Sequence, residues 1–321
     1  MAPLSPRLGI ALAFICLVIL GVMPIISNGR PPGSDALTFA LYLSFWQLLF
    51  SIPLFARELR SNNKGIFRAG LSPARKARTL AITVTTGAIF GLSTYVYVLA
   101  FEKAGAVSAA IALQAYPLFA MLLEAIFFGR MKSRGELFFT FLIIVALYYL
   151  ATSGTWRVDG FSFWSVFALG VPLLWSIAHV ALKEVLDTTP ITPNQVTFSR
   201  LLVSTAFLLL AQIAFDGPQG VFERLGDGKL QAFAILMGFA YYLELIFWFH
   251  AIRHIDVSVA SSVTVPAPAV TMIFAILFLG ETVYHYQLVA MGVIIAAMYG
   301  LLYANARKIR LQRLAASQSR A

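Results

Sequence analysis

Ten stretches of this chain run apolar for about twenty residues each, the length an α-helix needs to cross a ~30 Å hydrocarbon layer. In the first half they lie near 8–26, 36–56, 79–101, 107–128 and 137–151. In the second they lie near 162–182, 195–215, 230–251, 259–279 and 287–304. The runs are continuously apolar rather than alternating, which favours helices over the strands of a barrel. Only 12% of the residues are charged, against roughly a quarter in a soluble domain, so the chain cannot cover a soluble surface. The connecting segments are too short to hold a soluble domain of their own.

Arg7 ahead of the first run resembles the start of a signal peptide. The run is longer than a typical signal core and no small-x-small cleavage pattern follows it, so it reads as a retained first span. The single cysteine, Cys16, lies inside that run. It permits no intrachain disulfide and no zinc site of the multi-cysteine kind.

The net charge of +10 raises the question of a polyanionic partner. Orientation answers it. With both termini cytoplasmic, 18 of the 24 Lys and Arg fall on the inner side and 5 on the outer, with Arg200 inside a span. Seven of the 18 lie in one loop, 57–78, and five in the tail after 306. This is the positive-inside asymmetry of a multi-pass membrane protein. The basic excess reports topology, and no nucleic-acid partner is expected.

The halves repeat. Shifting the chain by 151 residues lays Gly87 on Gly238, Ala109 on Ala260, Pro117 on Pro268, Met121 on Met272 and Gly129 on Gly280, without a gap. Ile143, Ala146 and Tyr148 fall on Ile294, Ala297 and Tyr299 at the same offset. A shift of 153 aligns Phe45, Leu48 and Ser51 with Phe198, Leu201 and Ser204. Five spans per repeat is odd, so the second copy must enter the membrane from the opposite side. The expected fold is an all-α integral membrane protein, ten transmembrane helices as two inverted five-helix repeats. Residues 1–155 form the first repeat, 156–306 the second, and 307–321 a basic cytoplasmic tail. Inverted repeats of this kind are the architecture of many secondary transporters, with the substrate held between the halves near the midplane. The repeat supplies its own two-fold interface, so a monomer is sufficient.

The repeated unit resembles the EamA-type module of the drug/metabolite transporter superfamily. The resemblance rests on Ala100-Phe-Glu-Lys-Ala-Gly-Ala-Val-Ser-Ala-Ala110 followed by Pro117, and on Ala251-Ile-Arg-His-Ile-Asp-Val-Ser-Val-Ala260 followed by Pro268. Phe278-Leu-Gly-Glu281 is typical of the family, whereas the first copy has Gly129-Arg130. Leu174-Trp-Ser176 is similar to the family's first-helix signature, while Gly21-Val-Met-Pro24 lacks the tryptophan. Arg200 matches the family's arginine near the start of its second helix, where the first copy has Gln47. The resemblance implies transport of small molecules across a bacterial-type inner (plasma) membrane, often export of amino acids and other metabolites.

An ionisable group at the bilayer centre costs roughly 2.5–3.5 kcal/mol, so each one needs a reason. Glu244 lies deepest. Tyr241, Glu244 and Trp248 share a helix face, as do their repeat equivalents Phe90, Ser93 and Tyr97. The two faces are expected to meet. A carboxylate beside aromatic rings holds an amino or cationic group by charge and cation–π contact, and out of water it can also carry a proton. Gln114, Pro117, Met121 and Glu124 form a stripe on the fourth span, and Pro117 frees a backbone carbonyl near Gln114. The second copy keeps only Pro268 and Met272 of that stripe, and Pro266 with Pro268 should kink the ninth span.

The candidate substrate-binding residues are therefore Glu244, Tyr241, Trp248, Ser93, Tyr97, Gln114 and Trp175. The candidate proton-coupling residues are Glu244, His179 and Glu124. Arg200 reads as a snorkelling or helix-pairing residue. No phosphate-binding loop, HExxH or GxSxG is present, so no cofactor, metal or ATP-driven chemistry is expected.

The repeat points to a carrier of small metabolites working by alternating access in the bilayer, the resemblance implies export of amino acids or related amphipathic compounds, and the membrane-buried ionisable groups suggest protons as a coupled partner. The acidic and aromatic character of the site also fits a proton-coupled carrier of organic cations or drugs. A channel would need a continuous polar lining or filter. An intramembrane enzyme would need a nucleophile–base or metal cluster, which Glu244, His179 and Glu124 do not clearly form.

Overall fold

A computed structural model describes residues 6–61, 65–67, 70, 72–116, 118–119, 122–123, 126, 133–254, 260 and 263–318. The chain is all-α. Among the described residues, eight helices are long and apolar enough to cross a membrane. In chain order the helices are α1 (Pro6–Asn28), α2 (Ala36–Arg60), α3 (Pro73–Ala104), α4 (Ala106–Leu113), α5 (Arg134–Ala151), α6 (Phe163–Phe167), α7 (Gly170–Thr188), α8 (Pro193–Leu225), α9 (Gly228–His254), α10 (Ala267–Phe274) and α11 (His285–Gln318).

Local chemistry sets the helix ends. Asp35 accepts the Thr38 amide at the start of α2 at 2.8 Å. Ser133 and Glu136 form a capping box on α5, and Thr192 and Gln195 form one on α8, where Pro193 fills the first turn. Such reciprocal pairs satisfy donors that the first helical turn leaves free. Gly217 takes φ 74°, a left-handed conformation, and with Pro218 it breaks α8.

Three of the expected spans are not single helices. The sixth, near 162–182, divides into α6 and α7 at a turn around Ala168 and Leu169. The ninth turns at Val265–Pro266, restarts as α10 and ends in a π turn over Ala275–Leu279. That is the kink expected of Pro266 and Pro268, since proline removes a donor and crowds the preceding turn. The fourth begins as α4 and turns at Gln114–Ala115. Pro117, Met121 and Glu124 lie outside the described residues.

The long helices pack in matched pairs. α1 lies along α9 and α3 along α7; α3 packs on α8 and α9 on α2. α2 also packs on α8, and α5 on α11. Glycines allow the close approaches. A Cβ on Gly87 would stand 2.5 Å from Val203 Cβ on α8, and one on Gly238 would stand 2.8 Å from the Leu43 carbonyl on α2. Small residues at such crossings let backbones meet, where packing rather than a hydrophobic force holds membrane helices together.

Polar contacts tie the ends of the bundle. At one end Arg30 donates to the Ser27 and Ser34 carbonyls at 2.8 and 3.2 Å and pairs with Glu102, which Lys103 also contacts at 2.7 Å. Burial pulls the Arg30 pKa below its ordinary value, and the Glu102 charge opposes that shift. At the same end Glu281 reaches across to α4 and accepts the Ala106 and Val107 amides at 2.8 and 3.4 Å. At the opposite end Glu58 accepts from Thr192 and Asn194, and Lys308 bonds the buried Glu136 at 3.3 Å.

Glu281 places a carboxylate on the exposed donors and positive dipole end of α4, which has no side-chain cap of its own. Glu281→Ala is expected to cost ~1 kcal/mol, a fall of ~2–4 °C in melting temperature. Glu281→Gln keeps an acceptor and should lose less. Thermal unfolding in detergent checks the order; equal melting of all three proteins would remove the cap from the account.

Candidate functional site

The candidate residues come from four helices, and most of them converge. On α3, Ser93 is fully buried and Tyr97 is 4% exposed. On α7, Trp175 donates from Nε1 to Ser93 Oγ at 3.1 Å, and its ring stacks near Tyr97 with centroids 6.3 Å apart. Ser93 Oγ in turn donates to the Phe90 carbonyl at 2.9 Å. The indole is therefore fixed at both its polar and its apolar edge.

On α9, Tyr241 and Glu244 are buried. Tyr97 lies within electrostatic reach of both, so the Ser93–Tyr97 and Tyr241–Glu244 faces are neighbours. Among the described residues, the Glu244 carboxylate accepts no hydrogen bond, although its backbone carbonyl receives Cys16 Sγ at 3.6 Å.

The fourth helix contributes a residue outside the candidate set. Arg200, on α8, lies with its guanidinium carbon 3.8 Å from the centre of the Phe90 ring. Its charge acts on Tyr241 and Glu244. It also acts on His179. Its Nε is buried and has no hydrogen-bond partner. Of the two expectations for Arg200, snorkelling and helix pairing, its contacts with Phe90 and Tyr241 fit the second, because α8 carries it toward α3 and α9 rather than toward the helix end. Depth along one helix does not show which neighbours face a residue. The signal available beforehand was the alignment of Arg200 with Gln47, which is itself buried with an unpartnered Nε2.

His179 is exposed, and its ring meets Phe90 edge-on at 5.2 Å. Its Nδ1 lies 3.3 Å from the Tyr116 hydroxyl in the turn after α4. Ser176 Oγ donates to the Tyr116 carbonyl at 3.2 Å, so that turn is held against α7. Gln114 is half-buried in the same turn. The cluster is thus buried at its Glu244 end, and His179 lies at its surface-exposed end.

Trp248 stands apart. It packs against Ala13, Ala251 and Ala260 with Leu12 and Val263, not on the Trp175–Tyr97 pair. Glu124 lies outside the described residues. A cavity of about 780 Å³ opens at the bundle end that carries Arg30, Asp35, Tyr95, Glu102, Lys103 and Glu281. None of the candidate residues lines it.

The arrangement sets one carboxylate and one guanidinium into the same region as the rings of Phe90, Tyr97, Trp175 and Tyr241, with the Ser93 hydroxyl and the His179 imidazole beside them. It offers places for both signs of charge and an apolar surface between them. Among the described residues no group of acidic, histidine or cysteine side chains is placed to hold a metal.

Residues 162–303 match the model of the EamA-like transporter family. No curated protein matches the chain. One solved structure, described as the crystal structure of a protein, aligns over 94% of this chain and 99% of its own at 15% sequence identity with a TM-score of 0.58, a likeness of fold alone.

Proposed function

From the EamA-like transporter domain formed by residues 162–303, we propose that this multi-pass membrane protein is a secondary carrier exporting amino acids or related amphipathic metabolites. The observation that carries the reading is the buried Glu244, set near Tyr241, Tyr97 and Arg200 inside a chain whose spans are mainly apolar. A charge placed there at an insertion cost of ~2.5–3.5 kcal/mol is explained by a solute that uses it.

The proposed carrier is built of two inverted repeats, residues 1–155 and 156–306, which rock about the site to open it to either side in turn. The matched packing supports this. Exchanging the halves turns α1 against α9 into α7 against α3, and α3 against α8 into α9 against α2. The pairs α2 with α8 and α5 with α11 map onto themselves. The equivalent glycines Gly87 and Gly238 both sit at these crossings. The distribution of basic residues supports cytoplasmic termini in an inner-membrane protein. The end carrying Arg30 and Glu281 then faces outward, and the end carrying Glu58 and Glu136 faces inward.

Glu244 is the proposed proton-coupling group, with His179 at the surface-exposed end of the cluster. Substrate enters the site between Trp175, Tyr97 and Tyr241. The organic-cation reading draws on the same carboxylate and rings, but the half-buried Arg200 beside them opposes a substrate whose only charge is positive.

Reconstitution into proteoliposomes tests the reading. Preloaded vesicles should show saturable counterflow of at least one labelled amino acid or its amine, altered by a pH gradient. Vesicles that exchange none of a full amino-acid and amine panel, with or without a gradient, would overturn it.

A further inference from the structure

Arg200 and Glu244 carry opposite charges in one region, and each feels the other's field. Among the described residues no direct ion pair joins them. Burying an ion costs several kcal/mol even after relaxation, and structural pairs offset that cost by closing into hydrogen-bonded contact. This pair does not close. The Glu244 carboxylate takes no hydrogen bond from a described residue, and the Arg200 Nε is buried without an acceptor. What holds Arg200 instead is the face of Phe90 at 3.8 Å, a cation–π contact, together with a side-chain hydrogen bond to Tyr241, while the Nε of the guanidinium fork has no acceptor.

A guanidinium edge presents parallel N–H donors whose spacing matches the two oxygens of a carboxylate. A separated carboxylate opposite is the matching site for an ammonium group. Tyr241 sits beside both charges, and Tyr97 and Trp175 supply apolar surface next to them. One small molecule that carries a carboxylate and an amino group would satisfy both residues at once. Neither a simple amine nor a simple acid would.

We propose that Arg200 is the specificity-determining anchor for a substrate carboxylate, and that with Glu244 it makes the site selective for zwitterions over amines. The proposal rests on the transport reading above and names which charge pattern that site accepts. Phe90 is a positioning residue in this scheme, since it touches the guanidinium and not the solute.

The test uses the full-length protein in proteoliposomes, with the proteinogenic L-amino acids, their methyl esters and their decarboxylated amines as probes. In the wild type, each free amino acid that is exchanged should compete at least ~10-fold better than its ester or amine, the loss expected when a charge-assisted bond is removed. Arg200→Gln should abolish that preference, lowering the apparent affinity for the zwitterion at least ~10-fold while leaving the amine unchanged or improved. Arg200→Lys keeps the charge but not the planar fork, so it should fall between the two. Elution profile and melting temperature of each variant report folding separately. The selectivity ratio is a readout that a merely structural arginine would not move.

An Arg200→Gln protein with the wild-type preference would overturn the proposal, as would a wild type that exchanges amines and esters as well as free amino acids. Either result leaves transport itself standing. A wild type that exchanges nothing overturns the transport reading together with the anchor. Where Arg200→Gln does not fold, the ester and amine comparison on the wild type decides alone.

Discussion

Glu244→Gln is expected to lower counterflow at least ~30-fold and to remove its dependence on a pH gradient, while melting temperature shifts by no more than ~3 °C. The side chain keeps its size and can still hydrogen-bond, so packing against Cys16 and Tyr241 is preserved. No described residue donates to the carboxylate, so the amide forfeits no internal bond. Two electrostatic effects then oppose each other in the folded protein. Neutralising Glu244 relieves the cost of burying an anion, and it leaves the Arg200 cation without its counter-charge. Their near cancellation keeps stability close to the wild type. Transport has no such compensation, because an amide can neither pair with an ammonium group nor release a proton. The measurement is initial-rate counterflow at several pH values, beside a thermal melt of the same preparation. A variant with the wild-type rate and pH profile would remove Glu244 from both recognition and coupling.

Gly238→Leu is expected to lower the melting temperature by at least ~5 °C and to reduce the monodisperse yield in detergent. A Cβ at this position would stand 2.8 Å from the Leu43 carbonyl oxygen, 3.0 Å from the Gln47 amide nitrogen and 3.1 Å from Trp46 Cβ. Two of these three atoms are backbone, so no rotamer change relieves the clash. α9 and α2 must move apart, and the dispersion contacts along the crossing are lost with no hydrophobic force in lipid to restore them. Gly292→Leu is the control, since a Cβ there has no heavy atom within 4 Å. Equal melting of the two variants would show that the α9–α2 crossing tolerates separation.

Hydropathy found the long spans because a twenty-residue apolar run has few other solutions. It could not find the break at Ala168–Leu169, where the run stays apolar while the backbone turns. Pro266 and Pro268 did announce the turn between them, since the missing amide is written in the residue itself. The site divides in the same way. Glu244 stood out as a lone carboxylate in an apolar run, and Tyr97 and Tyr241 followed from helix periodicity. Trp248 satisfied that periodicity and still packs elsewhere, because one face of a long tilted helix meets different neighbours along its length. For Arg200 the converse holds: helix pairing is one of the two expectations for it, but its partners are not legible. Its importance lies in what crosses it from α3 and α9, and sequence spacing along α8 carries no record of that.

The Glu281 carboxylate on the start of α4 has a kinetic counterpart. In the proposed inverted repeat, the position equivalent to Glu281 is Arg130, and a guanidinium has no lone pair to offer a helix's amides. Two halves with identical contacts would visit the outward-facing and inward-facing forms equally often. In the proposed carrier, any movement that draws Glu281 away from the Ala106 and Val107 amides forfeits that cap, so rearrangement at this end carries a cost of ~1 kcal/mol.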